Sequence, residues 1–449
     1  MDRFSLGLSL GQHQLKAVIF NSDQSKVEGQ VVVKYKLQDN IESLLDALDA
    51  TFLKLSEFPS LKQVAMIKVS GPEDCGVCTS DHFYKCIMTF SGYAETLAKH
   101  FHGSFTMGSF LKPTTKNINF ANEWRETNPN DSYFPDSALL YSIKNLSISN
   151  KDIFDKTKNI QFISSFVTSI LAGKRAPIDS SCARISGLQG SEFAWNETST
   201  NWISADLKNK LDQIKNSYEN FSYVASYFVE KYGIYREARV LTASGNCAAC
   251  ARGAGGSVFL DTEDRLQLAA VVNKRPSVTR SFYLNGIVPG QFLCMVASNF
   301  DMILLLEKSY EIDQDPLENM YHANLLSAEQ LRNLDKVKLT ALLVSQLAEL
   351  KSNSKFFEKI YVTGDLSSNP IFLQACADIF TSELIAFENS AFGAAIGNAL
   401  SAARKIKESE YDTVLNAYFD STPYKTYTPS NEGINQMLSQ LIAYSNIKK

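Results

Sequence analysis

The sequence predicts an α/β protein made of two related halves, and three observations predict it. At 449 residues the chain is too long for one compact core and suits two or three domains. Stretches of period-two alternation give way repeatedly to stretches at helical spacing. The element that opens the chain, a β-hairpin, reappears past its midpoint, at Ser257.

Phe4, Leu6, Leu8 and Leu10 alternate, Gly11-Gln12 turns the chain, and Leu15 to Phe20 returns as the second arm. Ser25 to Tyr35 supplies a third strand. Ile41, Leu44, Leu45, Leu48, Phe52 and Leu55 then recur on one helical face, and Val64 to Val69 is a strand ending at Ser70-Gly71. Lys112 to Pro135 is rich in Asn, Thr and Pro without a sustained period, which predicts loop. Helices are expected over Ile160 to Leu171, stopped by Gly173, and over Phe221 to Tyr232, stopped by Gly233. Arg239 to Ala243 reads as a strand, and Ser257 to Leu260 with Leu266 to Val272 as the second hairpin. Helices at Val337 to Leu350, Pro370 to Phe380 and Ser390 to Ala403 alternate with strands at Ile360 to Val362 and Leu384 to Phe387, as in a sheet covered by helices. From Tyr411 onward the pattern predicts a polar surface tail with one short helix at Asn435 to Tyr444.

Composition narrows the function classes. With 45% apolar and 20% charged residues the chain has an ordinary globular balance. Lys plus Arg total 44 against 48 Asp plus Glu, a formal charge of −4, so no basic excess attracts nucleic acid. Asp2, Gln12, His13 and Lys16 interrupt the apolar start, and Gln291, Ser298, Asn299 and Asp301 interrupt the most apolar later stretch; neither a signal peptide nor a spanning segment is expected. A cytoplasmic protein with no membrane partner is the expectation, its eight cysteines reduced.

In duplicated α/β folds a nucleotide lies between the halves, with hairpin amides on its phosphates. Here the hairpins are Leu10-Gly11-Gln12 and Leu260-Asp261-Thr262. Each alone reads as a simple turn. Cys75-x-x-Cys78 and Cys247-x-x-Cys250 invite a zinc reading, but they lie in different halves without zinc-ribbon spacing, so no metal site is assigned to them. His100 and His102 have no accompanying Asp or Ser pattern of a hydrolase.

The combination of segments carries more. LGLSLGQHQLKAVIF (Leu6 to Phe20) resembles the opening of the FGGY carbohydrate kinases, and later stretches resemble xylulokinases within that family. FISSFVTSILAGKRAPID (Phe162 to Asp179), VASYFVEKYGIYREARVLTASGN (Val224 to Asn246), YVTGDLSSNPIFLQACADIF (Tyr361 to Phe380) and NSAFGAAIGNAL (Asn389 to Leu400) keep the family's order and rough spacing; between Thr79 and Asp155 its segments are not recognisable. The resemblance implies two actin-like ATPase (ribonuclease H-like) domains around a cleft, a sugar-side domain over 1–236 and a nucleotide-side domain over 237–449. It implies the reaction ATP + D-xylulose to D-xylulose 5-phosphate + ADP, with ATP and Mg2+ as cofactors.

Carried over position by position, the chemistry is largely missing. The first-hairpin aspartate that arranges metal and phosphates falls on Ser9, and the sugar-contacting Gln-His pair on Asp74-Cys75. The second aspartate of the family's sugar-side segment falls on or beside Cys182, and the general-base aspartate falls on Gly245. Loss of a positioned base costs roughly 10²–10⁴-fold in rate. On the nucleotide side Asp261 and Asp365 replace neutral residues, while Gly11, Gln12, Lys16, Asn246, Thr262, Gly364, Ser367 and Asn369 mark the family's positions, most of them retained. The first expectation is therefore a catalytically impaired, pseudokinase-like homologue. The alternatives are an active, diverged kinase with a relocated acid at Asp179, Asp261 or Asp264, and a non-catalytic scaffold for a protein partner; whether it is an enzyme stays open between them. A pentulose or a nucleotide is the expected small-molecule partner.

Overall fold

The structure is a computed structural model, and it describes residues 3–11, 14–35, 41–73, 75–80, 101–106, 123, 126, 138–190, 193–263, 265–273, 282–285, 291–301, 357–433 and 435. The first sheet opens with β1 (Phe4–Leu10), β2 (Gln14–Asn21) and β3 (Lys26–Lys34) in antiparallel succession, and β4 (Val64–Gly71) lies parallel to β1. Both faces of β1 are buried. Leu6, Leu8 and Leu10 join the core beneath α1 (Ile41–Leu55), which presents Leu44, Leu45, Leu48 and Phe52. The small residues Ser5 and Gly7 admit another helix on the opposite face, with Ser5 Oγ donating to the Ala399 carbonyl at 2.7 Å.

The chain then builds a three-stranded sheet from β5 (Cys75–Thr79), β6 (Phe101–Thr106) and β7 (Asn159–Phe162), followed by helix α2 (Ile163–Ala172). A short pair, β8 (Ile178–Asp179) and β9 (Ile214–Lys215), brackets helix α3 (Ser180–Ile185). β10 (Asn220–Tyr223), β11 (Arg239–Leu241) and β12 (Ser244–Gly245) return to the first sheet, whose order is β10-β11-β4-β1-β2-β3 with β12 also on β4.

Helix α4 (Asn246–Gly253) leads to the second sheet. That sheet comprises β13 (Val258–Thr262), β14 (Arg265–Val272), β15 (Phe282–Asn285), β16 (Phe292–Asp301), β17 (Lys359–Gly364), β18 (Glu383–Phe387) and β19 (Tyr424–Tyr427), in the order β15-β16-β14-β13-β17-β18-β19. It repeats the first: an antiparallel hairpin, β13-β14, whose first strand runs parallel to a later one, β17. Helices α5 (Pro370–Phe380), α6 (Gly393–Ile406) and α7 (Tyr411–Ser421) complete it.

α6 packs on β1, β2 and β4 and against α4. Val18 and Phe20 of the first sheet share a core with Ala395, Ile396, Ala399 and Leu400 of α6 and with Val414 and Tyr418 of α7. The α4/α6 contact is backbone on backbone: a Cβ at Gly397 would lie 1.9 Å from the Ala249 carbonyl oxygen, and one at Gly253 1.9 Å from that of Gly393.

Three expectations are corrected. Ile160 to Phe162 belongs to strand β7, so the helix expected from Ile160 starts at Ile163. Phe221 to Tyr223 lies in β10 and the helix there spans only Ser226–Tyr232. In both, bulky apolar residues on a sheet edge mimic one turn of helix; the expected stops are real, since Gly173 and Gly233 adopt φ of 66° and 73°. The segment from Tyr411 is not a surface tail: α7 buries Tyr411, Val414 and Tyr418, and β19 extends the second sheet. The loop expected at Lys112 to Pro135 lies almost wholly outside the described residues, as do the helices expected at Val337 to Leu350 and Asn435 to Tyr444. Among the described residues no helix is long and apolar enough to cross a membrane.

Candidate functional site

The ends of β1, β4 and β12 converge on the first residue of α4. Asn246 ties them together: its Oδ1 accepts from Ser70 Oγ at 2.7 Å and from Ser9 Oγ at 3.3 Å, and its Nδ2 donates to the Leu10 carbonyl at 2.7 Å. Asn398 of α6 completes the knot, donating to Ser70 Oγ at 2.7 Å and to the Leu8 carbonyl at 2.8 Å. Gly11 closes the first hairpin by donating its amide to the Gln14 carbonyl at 2.8 Å.

Lys16 faces Ser9 across that hairpin and carries the strongest electrostatic feature of the junction. Its ammonium donates to Glu263 Oε2 at 2.9 Å, Asp365 Oδ1 at 2.6 Å and the Ala391 carbonyl at 2.7 Å. Gln14 also donates to Asp365 Oδ1, at 2.6 Å, and Ser9 Oγ donates to Glu263 Oε1 at 3.2 Å. The lysine and both carboxylates are buried or nearly so. Burial disfavours the Lys16 cation, but Asp365 and Glu263 more than offset it and raise its pKa. The lysine comes from the first sheet and both acids from the second, so the cluster is an ion-paired bridge between the halves.

Asp261, at the end of β13, has a different role. Its Oδ1 accepts from the Glu263 amide at 2.9 Å and from the Cys250 thiol at 3.4 Å, while its Oδ2 is buried without a partner among the described groups. Burial, with Glu263 and Glu73 nearby, pushes its carboxyl from 3.8 up to about 8. The folded protein therefore keeps a proton that the unfolded chain releases near pH 4, and the stability this provides is lost as the pH rises through about 8. Asp261→Asn, which cannot ionise, should match the parent near pH 4 and exceed it at pH 8 by about 2 kcal/mol or more, as read from urea unfolding at both pH values.

On the opposite side, Asp179 is spent on local structure. It caps α3, accepting from the Cys182 amide at 2.8 Å and the Ser181 amide at 3.2 Å, with Ser181 Oγ on both its oxygens. Burial raises its pKa against these hydrogen bonds. Ser181 Oγ in turn accepts from the Gly245 amide at 3.4 Å. Cys182 is fully buried, its thiol pushed up by burial. Lys68, buried in β4, donates to the Ser217 carbonyl and, at 2.8 Å, to that of Thr242; burial lowers its pKa to about 7, opposed by Asp179.

Glu73 enters here from just beyond β4. Its Oε1 accepts from the Cys247 amide at 3.1 Å, and a Cβ built on Gly245 would lie only 2.2 Å from that oxygen. Farther along the second sheet, Thr262 Oγ1 donates to the Thr363 carbonyl at 2.8 Å and accepts from the Leu366 amide at 3.1 Å. Gly364 adopts φ 92°, ψ −173°, which a side chain does not tolerate, and Asn369 Oδ1 accepts from the Phe372 amide at 3.1 Å. The Ser367 hydroxyl is buried without a partner among the described groups.

The structure thus brings Gly11, Lys16, Asn246, Asp261, Thr262, Gly364 and Asp365 to one junction, with Asp179, Cys182 and Gly245 beside it. Gln12, Asp74 and Asp264 lie outside the described residues, and Cys75 is described by its backbone alone. Cys78 packs in one core and Cys247 with Cys250 in another. Among the described residues no group of three or more His, Cys, Asp or Glu is placed to hold a metal ion. Sequence reasoning missed Glu73, Glu263 and Lys68. Position at the carboxyl end of a parallel strand, where α/β sheets place ligands, is the signal that marks Glu73.

No family model matches the chain. Among curated proteins, the xylulose kinase of Schizosaccharomyces pombe is 22% identical over 262 residues, 53% of this chain and 46% of that protein. The sequence match thus spans about half the length of that relative. Among solved structures, the ligand-bound xylulose kinase of Lactobacillus acidophilus superimposes with a TM-score of 0.73 at 13% identity, covering 99% of this chain and 97% of that one. The ADP-bound glycerol kinase of Plasmodium falciparum gives 0.67 at 11% identity, covering 99% and 98%. The repeated hairpin-and-parallel-strand sheets, joined through α4 and α6, accordingly have the two-domain, actin-like ATPase fold seen in FGGY sugar kinases, and the chain resembles xylulose kinases in both sequence and fold.

Proposed function

We propose that this chain is a xylulose-kinase-like protein of the cytoplasm that takes a pentulose such as D-xylulose into its cleft and transfers phosphate from ATP to it slowly or not at all. The observation that carries the reading is the neutralised Lys16. Phosphoryl transfer depends on positive charge and donors aimed at the phosphates. Here the lysine nearest the first hairpin turn is engaged by Glu263 and Asp365. These residues do not fit a polyphosphate: its binding would oppose like charges and break a buried ion pair. Nor do the described acids supply a three-ligand group for Mg2+. The absence of a side chain at Gly245 removes the base as well. The six cysteines whose side chains are described are free thiols. Each unit carries one seven-stranded sheet, and we place their junction in the region after residue 236.

The test is calorimetric titration with D-xylulose and with Mg-ATP, with turnover followed in the same samples by a coupled assay for ADP. Binding of D-xylulose is expected without turnover in the ordinary range of about 1–10³ s⁻¹. Sugar-dependent ADP release within that range would overturn the reading. One contact favours the alternative of a relocated acid, since Asp179 reaches the Gly245 amide through a single hydroxyl, that of Ser181. Unchanged sugar-dependent ATP consumption after Asp→Asn substitution at 179, 261 and 264 together would eliminate it.

A further inference from the structure

We propose that Glu73 supplies, from the neighbouring strand, the carboxylate that position 245 lacks, and that it accepts a hydrogen bond from a hydroxyl of the bound pentulose. The inference rests on reading the cleft as a sugar site, and three observations on this chain carry it.

The first is steric. Gly245 has φ −73° and ψ 156°, extended backbone open to any residue, so no turn demands a glycine there. What a side chain there would have to displace is Glu73, held in place by the Cys247 amide: a Cβ at 245 would meet its Oε1 at 2.2 Å, its Cγ at 2.6 Å and its Cδ at 2.7 Å. The three nearest atoms all belong to that one residue. A single volume is shared between the two positions, and the glutamate fills it.

The second is positional. β12 runs parallel to β4 with Gly245 beside Gly71, so Glu73 leaves the adjacent strand two residues later and reaches sideways over the strand end. Its Oε1 accepts from the Cys247 amide in the first turn of α4, where the positive end of the helix favours an ionised carboxylate.

The third is access. Asp179 and Asp261 are each 1% exposed, and the hydrogen bonds that they accept come from the cap of α3 for Asp179 and from the Glu263 amide and the Cys250 thiol for Asp261. Glu73 is only partly buried, so of these three acids it is the one a ligand can reach. A carboxylate offers about four acceptor positions, enough to serve the helix amide and a sugar hydroxyl together.

The experiment compares the parent with Glu73→Gln, Glu73→Ala, Gly245→Asp and the pair Glu73→Ala/Gly245→Asp, using D-xylulose calorimetry and melting temperature. Glu73→Gln keeps the shape and should weaken D-xylulose binding about 10- to 100-fold while the melting temperature barely moves. Gly245→Asp alone should lower the melting temperature by about 2 °C or more, and adding Glu73→Ala should restore it together with most of the sugar binding. Parent-like sugar affinity in both Glu73 variants would overturn the assignment of Glu73 and leave the sugar site standing. A parent-like melting temperature for Gly245→Asp would overturn the shared volume. If the parent itself gives no heat with D-xylulose, the sugar site falls and this inference with it.

Discussion

Replacing Lys16 with methionine should lower the free energy of unfolding by about 3–5 kcal/mol, because it leaves two buried carboxylates facing each other without their cation. The geometry sets the size of the effect: Glu263 and Asp365 lie 2.9 and 2.6 Å from the ammonium, and lysine and Glu263 are almost fully buried. Glu263 cannot turn to water without opening the bridge between the sheets. A compensated variant, Lys16→Met with Glu263→Gln and Asp365→Asn, should recover most of the loss, since no charge is then left unpaired. Urea unfolding of parent, single and triple variants measures both steps. A single variant as stable as the parent would mean that the cluster does not bridge the halves as described.

Gly397→Ala should cost about 3 kcal/mol, at the upper end for overpacking. The added methyl would meet the Ala249 carbonyl oxygen at 1.9 Å, the Ala249 carbonyl carbon at 2.8 Å and the Gly253 amide nitrogen at 2.9 Å, all of them backbone. Flexible side chains can step aside, but a helix backbone moves only as a whole. α4 and α6 must therefore separate, and α6 also rests on β1, where a Cβ on Gly7 would lie 2.0 Å from the Ala395 carbonyl oxygen. The melting temperature of the alanine variant gives the answer directly.

Where one periodicity ran unbroken, the fold was legible. The opening hairpin, β3, α1 and β4 lie where Phe4, Leu15, Ile41 and Val64 suggest, as do the second hairpin, α5 and α6. Boundaries failed where a strand passes directly into a helix, as at Phe162-Ile163, because bulky apolar residues satisfy both patterns. The stretch after Tyr411 was misread because α7 buries a narrow stripe of Tyr411, Val414 and Tyr418 among polar neighbours, and β19 is an edge strand with its side chains largely exposed. At the site, the sequence could show that an acid is absent at Gly245 and that acids appear at Asp261 and Asp365. It could not show that Glu73 fills the vacated volume or that Lys16 pairs across the sheets, because those contacts join residues 172 and more than 240 positions apart.

The placement of α6 has a consequence for how the gene tolerates truncation. Although Gly393–Ile406 follows the strands of the second sheet in the chain, its residues Ala395, Ile396, Ala399 and Leu400 form one wall of the core around Val18 and Phe20. A stop codon before residue 393 would strip that wall from the first half as well as from the second, and neither half expressed alone would have a complete interior. Supplied together as two separate polypeptides, they would be expected to find each other.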